Sequence, residues 1–281
     1  MFAILPMPEI NVWLDMIFFT VFFLVVIVFS VHLLFNFLTG RMYRRFVKDE
    51  WPTHDVPLRP IPKFLHFQHV MSMIGLGFSG MYIRFPFFSG GRTAMRYLHY
   101  FLMIVVIVNL FARLAYAFTG RHKDKKMFAI TKRDLKAAPQ VVMYYVFARP
   151  TKPHVDHYNV MQKATYCLFP ILLLAQAYTG FSLLTTVFGF DIQPLFLWWP
   201  GIIGIGVAAG AAYSRILHYV INWLFIILTF VHAYLSITED FPAFREFFGV
   251  GKAKYDLSPH GAHAPVGEPE PVMAHGTEGT A

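Results

Sequence analysis

Five apolar runs, each near or above the roughly 20 residues that carry a helix across a hydrocarbon core, constrain this 281-residue chain more than any other feature. They extend from about Val12 to Leu38, Phe64 to Ile83, Tyr97 to Phe118, Val160 to Val187 and Ile216 to Ile237. In lipid, backbone N–H and C=O groups must be satisfied within the segment, so each run reads as a transmembrane helix. Only 14% of the residues are charged, against about a quarter in soluble domains. The expected fold class is an all-α membrane protein, with a five-helix transmembrane domain over residues 1–250. Residues 251–281, rich in Gly, Pro, His and Glu and lacking an apolar face, are expected to be a disordered cytoplasmic tail in which His260, His263 and His275 are solvated.

The first run has no basic region before it and is too long for a secretory signal, so an uncleaved anchor is expected. A sixth stretch, Leu195 to Tyr213, carries Trp198, Trp199 and Pro200 near its start. The apolar part after the proline is too short to span, which suggests an interfacial or re-entrant segment. The single Cys167 excludes an internal disulfide and a Cys-ligated cluster, and it reads as a small buried side chain.

The net charge of +8 belongs to topology rather than to nucleic acid, because the basic residues sit in particular loops. Arg41, Arg44, Arg45, Lys48, Arg59 and Lys63 follow the first span. Arg121, Lys123, Lys125, Lys126, Lys132, Arg133, Lys136, Arg149 and Lys152 follow the third. Between the second and third spans stand only Arg84, Arg92 and Arg96. Positive loops stay inside, which puts the N-terminus outside and the C-terminus in the cytoplasm, with the chain multi-pass in the cytoplasmic membrane.

His218 and His232 share the last run, 14 residues apart. On a helix that is about 40° short of four turns and roughly 21 Å of rise, so both imidazoles face nearly one side, one near each membrane surface. His99 opens the third span at the depth of His218, and His66 opens the second at the depth of His232. Two imidazoles at each of two depths suit two hemes with bis-histidine ligation. His69, one turn from His66, competes with it for the inner site. His32 has no partner at its depth and reads as hydrogen-bonded packing. Gly75, Gly77, Gly80 and Gly180 let helices or a flat macrocycle approach the backbone. Arg84, Arg92, Arg96 and Arg215 outside, and Arg59, Lys63 and Arg113 inside, are possible partners for heme propionates or simple topology anchors.

The segments RYLHYFLMIVVIVNLFARLAYAFTG, KRDLKAAPQVVMYYVF, HYNVMQKATYCLFPILLLAQAYTGF and RILHYVINWLFIILTFVHAYLSITED resemble the b-type cytochrome subunits of membrane-bound nickel-iron hydrogenases. Formate dehydrogenase and thiosulfate reductase cytochromes share that core. The resemblance covers roughly residues 59–240. It implies a four-helix heme-binding bundle with an extra N-terminal helix here, two b hemes on His66, His99, His218 and His232, and a catalytic subunit reached outside through an iron–sulfur subunit. The H-to-SG spacing of HFQHVMSMIGLGFSG favours His66 over His69. It also implies a quinone, menaquinone or ubiquinone, at the inner heme near Asn159; Val160 departs from the family's usual proline.

Independently of the family, quinone reduction needs protons at the inner surface, and His69, Asn159, Gln162 and Lys163 lie at that depth. The chain holds no phosphate loop or zinc motif, so quinone is its only expected substrate. The leading expectation is a diheme subunit passing electrons between an extracytoplasmic oxidoreductase and the quinone pool. Reverse flow, with quinol oxidised for a thiosulfate or polysulfide reductase, is the alternative within redox chemistry. A heme-free anchor or transporter is the alternative from another class.

Overall fold

The computed structural model describes residues 7–54, 57, 59–119, 124–152, 158, 160–187 and 189–255. Its elements are α1 (Met7–Leu38), α2 (Arg41–Phe46), β1 (Thr53–His54), α3 (Pro60–Arg84), α4 (Arg92–Phe118), α5 (Lys125–Phe128), α6 (Lys132–Tyr145) and α7 (Val160–Phe181). There follow β2 (Thr186–Val187), β3 (Phe190–Asp191), α8 (Gln193–Phe196), α9 (Trp199–Ile202), α10 (Val207–Glu239), α11 (Phe241–Phe247) and β4 (Lys254–Tyr255). Four helices, α1, α4, α7 and α10, are long and apolar enough to cross a membrane, and the chain is a multi-pass membrane protein. The 25-residue α3 has the length but not the apolarity, because Lys63, His66, Gln68, His69, Ser72, Ser79 and Arg84 interrupt it.

Several boundaries differ from those read in the sequence. The last long helix begins at Val207, not near Ile216. Its 33 residues make a rod of about 50 Å. The stretch VAAGAAYS is not apolar enough to announce a span, yet its alanines favour helix. The Leu195–Tyr213 segment, expected to be too short to span, holds the single turns α8 and α9, set apart by Gly204 at φ 72° from α10, to which residues 207–213 belong. The fourth long helix stops at Phe181, and the chain then turns into the antiparallel pair β2–β3. Cys167 is exposed rather than buried. It lies on the outward face of α7, where lipid is an adequate solvent for a small apolar thiol. Residues 256–281, the greater part of the expected tail, lie outside the described residues.

The core lies where α3, α4, α7 and α10 meet. Val106 and Leu110 of α4, Leu173 of α7 and Phe225 of α10 are buried together, with Met73 and Leu76 of α3 packed on them. Phe169 and Phe225 stack at 5.8 Å. The antiparallel helices α3 and α4 make the most extensive pairing. It is tied by buried Asn109, which donates to Leu65 O at 2.9 Å and to the Gln68 amide oxygen. A polar side chain is retained here because both its donors find acceptors.

Helix α1 docks on the back of α10. Phe18, Phe19 and Phe22 surround Trp223, with Phe18 stacked at 5.7 Å. At one end, Asp15 accepts from Tyr219 Oη at 2.6 Å and from Arg84 at 2.8 Å. At the other, His32 Nδ1 and Tyr234 Oη are 2.6 Å apart, which agrees with hydrogen-bonded packing for that histidine. Below it, α2 lays two buried arginines across helix ends. Arg41 donates to Tyr144 O at 3.2 Å and Arg149 O at 2.9 Å, and Arg45 to Thr238 O, with Glu239 paired at 3.1 Å. Cations at helix C-termini satisfy carbonyls that have no partner within the helix.

Candidate functional site

The four histidines meet as two pairs. His99 of α4 and His218 of α10 have ring centres 6.2 Å apart, and His66 of α3 and His232 of α10 have theirs 6.3 Å apart. A metal held between two imidazole nitrogens at about 2 Å each separates ring centres by roughly 6 Å. Among the described residues no group of three or more His, Cys, Asp or Glu side chains converges on a metal position. A metal that carries its own in-plane ligands, as the iron of a porphyrin does, needs no more than such a pair from the protein.

The outer pair, His99 and His218, is held by two matching devices. Ser79 Oγ of α3 lies 2.9 Å from His99 Nδ1, and Thr179 Oγ1 of α7 lies 3.0 Å from His218 Nδ1. Each hydroxyl donates backwards along its own helix, Ser79 to Gly75 O at 2.7 Å and Thr179 to Ala175 O at 2.9 Å. A hydroxyl so engaged has lone pairs that can accept from Nδ1–H, and the tautomer protonated there has Nε2 as the donor atom for a metal. The next residue in each helix is glycine. A Cβ at Gly80 would stand 3.4 Å from His99 Cε1, and one at Gly180 3.2 Å from His218 Cε1. The Gln176 amide lies 3.2 Å from His218 Nε2, and a metal held by that nitrogen would take its place.

The inner pair, His66 and His232, lacks these hydroxyls. His66 packs on Phe247 of α11 with ring centres 4.5 Å apart, and its buried Nδ1 has no hydrogen-bond partner among the described residues. His69 makes no hydrogen bond to a described residue, and the ring pair with His232 is made by His66. The two levels are separated by the apolar core: Phe225 lies seven positions from each α10 histidine, and Val106 seven beyond His99.

The remaining candidates are placed differently. Lys163 is buried and paired with Asp134 of α6 at 2.9 Å, Gln162 is exposed, and Asn159 lies outside the described residues. Burial pushes the Asp134 carboxyl up, but hydrogen bonds from Lys163 and Thr131 prevail and hold it below its ordinary value. Of the basic residues, Arg84 pairs with Asp15 at 2.8 Å, Arg113 with Asp124 at 2.8 Å and Lys63 with Glu246 at 3.5 Å. Arg92, Arg96 and Arg215 are exposed. Sequence reasoning missed the roles of Ser79, Thr179, Gln176 and Phe247. The repeated hydroxyl–glycine dipeptide, SG in α3 and TG in α7, was the available signal for the first two.

Residues 54–249 match the family model of the prokaryotic cytochrome b561. The chain is 25% identical over 201 residues to a probable Ni/Fe-hydrogenase B-type cytochrome subunit of Azotobacter vinelandii, covering 66% of this chain and 80% of the relative. A protein of the same description from Rhizobium leguminosarum bv. viciae is 26% identical over 193 residues, covering 62% and 77%. No solved structure matches.

Proposed function

The chain belongs to the prokaryotic cytochrome b561 family, and from that membership we propose that it is the diheme b subunit of a membrane-bound nickel-iron hydrogenase, passing electrons to the quinone pool. The observation that carries the reading is the pair of imidazole pairs, each with ring centres about 6 Å apart, at two levels of α10. When bound, heme b supplies one-electron redox chemistry. The protein's own residues hold and space it. His99 and His218 would hold the outer heme, and His66 and His232 the inner. Gly80 and Gly180 leave the outer rings their room, and the layer around Phe225 keeps water from between the levels.

In this reading α3 is a fifth span. Its polar residues are turned into the bundle, where Ser72 and Ser79 are buried, so lipid need not receive them. The N-terminus is outside. An iron–sulfur subunit and its catalytic subunit dock there, and quinone is reduced at the cytoplasmic side near His69, Asn159 and Gln162. Lys163 fixes the start of α7 through its ion pair with Asp134. The hydrogenase partner is supported by the names of the relatives, and the inner position of quinone by the separation of the two levels.

A pyridine hemochrome assay on the purified chain should give two hemes. His218→Ala or His99→Ala should each remove one of them, and His66→Ala or His232→Ala the other, while His69→Ala retains both. One heme in the wild type, or a loss on His69→Ala matching that of His66→Ala, would sink the assignment.

A further inference from the structure

We propose that Ser79 and Thr179 are positioning residues that accept the Nδ1 protons of His99 and His218 and so hold the outer heme at the lower potential of the two. The inference rests on the axial-ligand reading above. It starts from an asymmetry between the levels. Both outer rings place Nδ1 within hydrogen-bond distance of a hydroxyl oxygen, at 2.9 and 3.0 Å. At the inner level, His66 Nδ1 is buried without a partner among the described residues, and His232 is hydrogen-bonded to none of them.

An imidazole that donates its Nδ1 proton gains electron density at Nε2 and becomes a more basic ligand. A more basic axial pair favours the ferric state, and hydrogen bonding around the ligands is one of the protein's levers on potential. The hydroxyls are well made for this task. Each is committed as a donor to its own helix, so it presents only lone pairs to the ring. Each lies in a rigid helix beside the glycine that lets the imidazole approach. The effect is downhill for an electron moving inward: the outer iron is oxidised, the inner iron is reduced, and no bond forms or breaks. The ordering thus gives the transfer its direction before quinone takes up two electrons and two protons.

The test is a potentiometric titration of the purified, heme-loaded protein followed by optical and electron paramagnetic resonance spectra. The lower-potential wave should be the one missing in His218→Ala. Thr179→Val removes the hydroxyl and keeps the shape, and Thr179→Ser keeps the hydroxyl. Thr179→Val and Ser79→Ala should each raise the lower potential, the double variant should raise it further, and the upper wave should not move. Thr179→Ser should titrate as the wild type, which a purely space-filling role for Thr179 would not give. Two bound hemes with an unmoved lower wave in the double variant would overturn the inference and leave the diheme reading intact. A wild type that binds other than two hemes would overturn both. If Ser79→Ala fails to fold, the Thr179→Val and Thr179→Ser pair decides the matter alone.

Discussion

At position 180 a side chain would crowd a histidine ring. A Cβ would meet His218 Cε1 at 3.2 Å and Met103 Sδ at 3.7 Å, on a helix face that must receive an imidazole. Gly180→Val should therefore displace the ring and halve the heme content while the inner heme remains, as a pyridine hemochrome assay would show. Gly80→Ala, where the nearest approach is 3.4 Å, should have the milder effect. A Gly180→Val protein with both hemes at wild-type occupancy would contradict the crowding argument. The four histidines were legible in the sequence because spacing and depth are enough to pair them. Their hydroxyl partners were not. A serine or threonine in an apolar helix ordinarily bonds back to the i−4 carbonyl, as Ser79 and Thr179 both do, and only the ring placed opposite reveals the second role. Cys167 was misread because in lipid an apolar face outside the bundle is no less comfortable than one inside.

Among the elements, α6 was hidden from a search for apolar runs, since it is a short amphipathic helix between spans. Its start was nonetheless written in Thr131 and Asp134, which form a capping box. Asp134 has a second partner, the buried Lys163 at the start of α7. Removing one member of a buried pair costs about 3–5 kcal/mol because a charge is left behind. Asp134→Asn should therefore lower the thermal stability of the detergent-solubilised protein strongly, and adding Lys163→Met should recover much of the loss. The pH dependence follows from the same pair. The folded carboxyl lies below its unfolded value of about 3.9, so its stabilisation is present above that pH and is lost as pH falls through the lower, folded value. Acid should destabilise the wild type more steeply than the double variant; equal slopes would show that the pair is not the titrating element. The early start of α10 went unread for a different reason. Alanine-rich turns have helix propensity without the hydropathy that marks a span.

For the molecule as a whole, the basic residues are concentrated in the loops after the first and third runs, which is the ground for the proposed outside N-terminus. A reporter active only outside the cytoplasm, fused to the C-terminus, should stay silent; activity would invert the topology or remove α3 as a span. The helices α1, α4, α7 and α10 were legible from hydropathy, whereas the run from Phe64 to Ile83, read in the sequence as a span, forms a helix whose polar residues keep it below the apolarity of the other four. Helix α1 precedes the matched region of residues 54–249, yet it is joined to α10 by aromatic stacking and to both ends of the bundle by polar bonds. Because the single unbroken rod of α10 carries His218 and His232, the electron-tunnelling gap of the proposed diheme arrangement would be a property of the helical repeat and not of any loop. An insertion of one residue near Phe225 would dephase one ligand by about 100° and strip one heme, whereas the same insertion after Gly249 should leave both in place. The chain can thus be remodelled at its surfaces, for a new docking partner or a new quinone, while its internal gauge stays set.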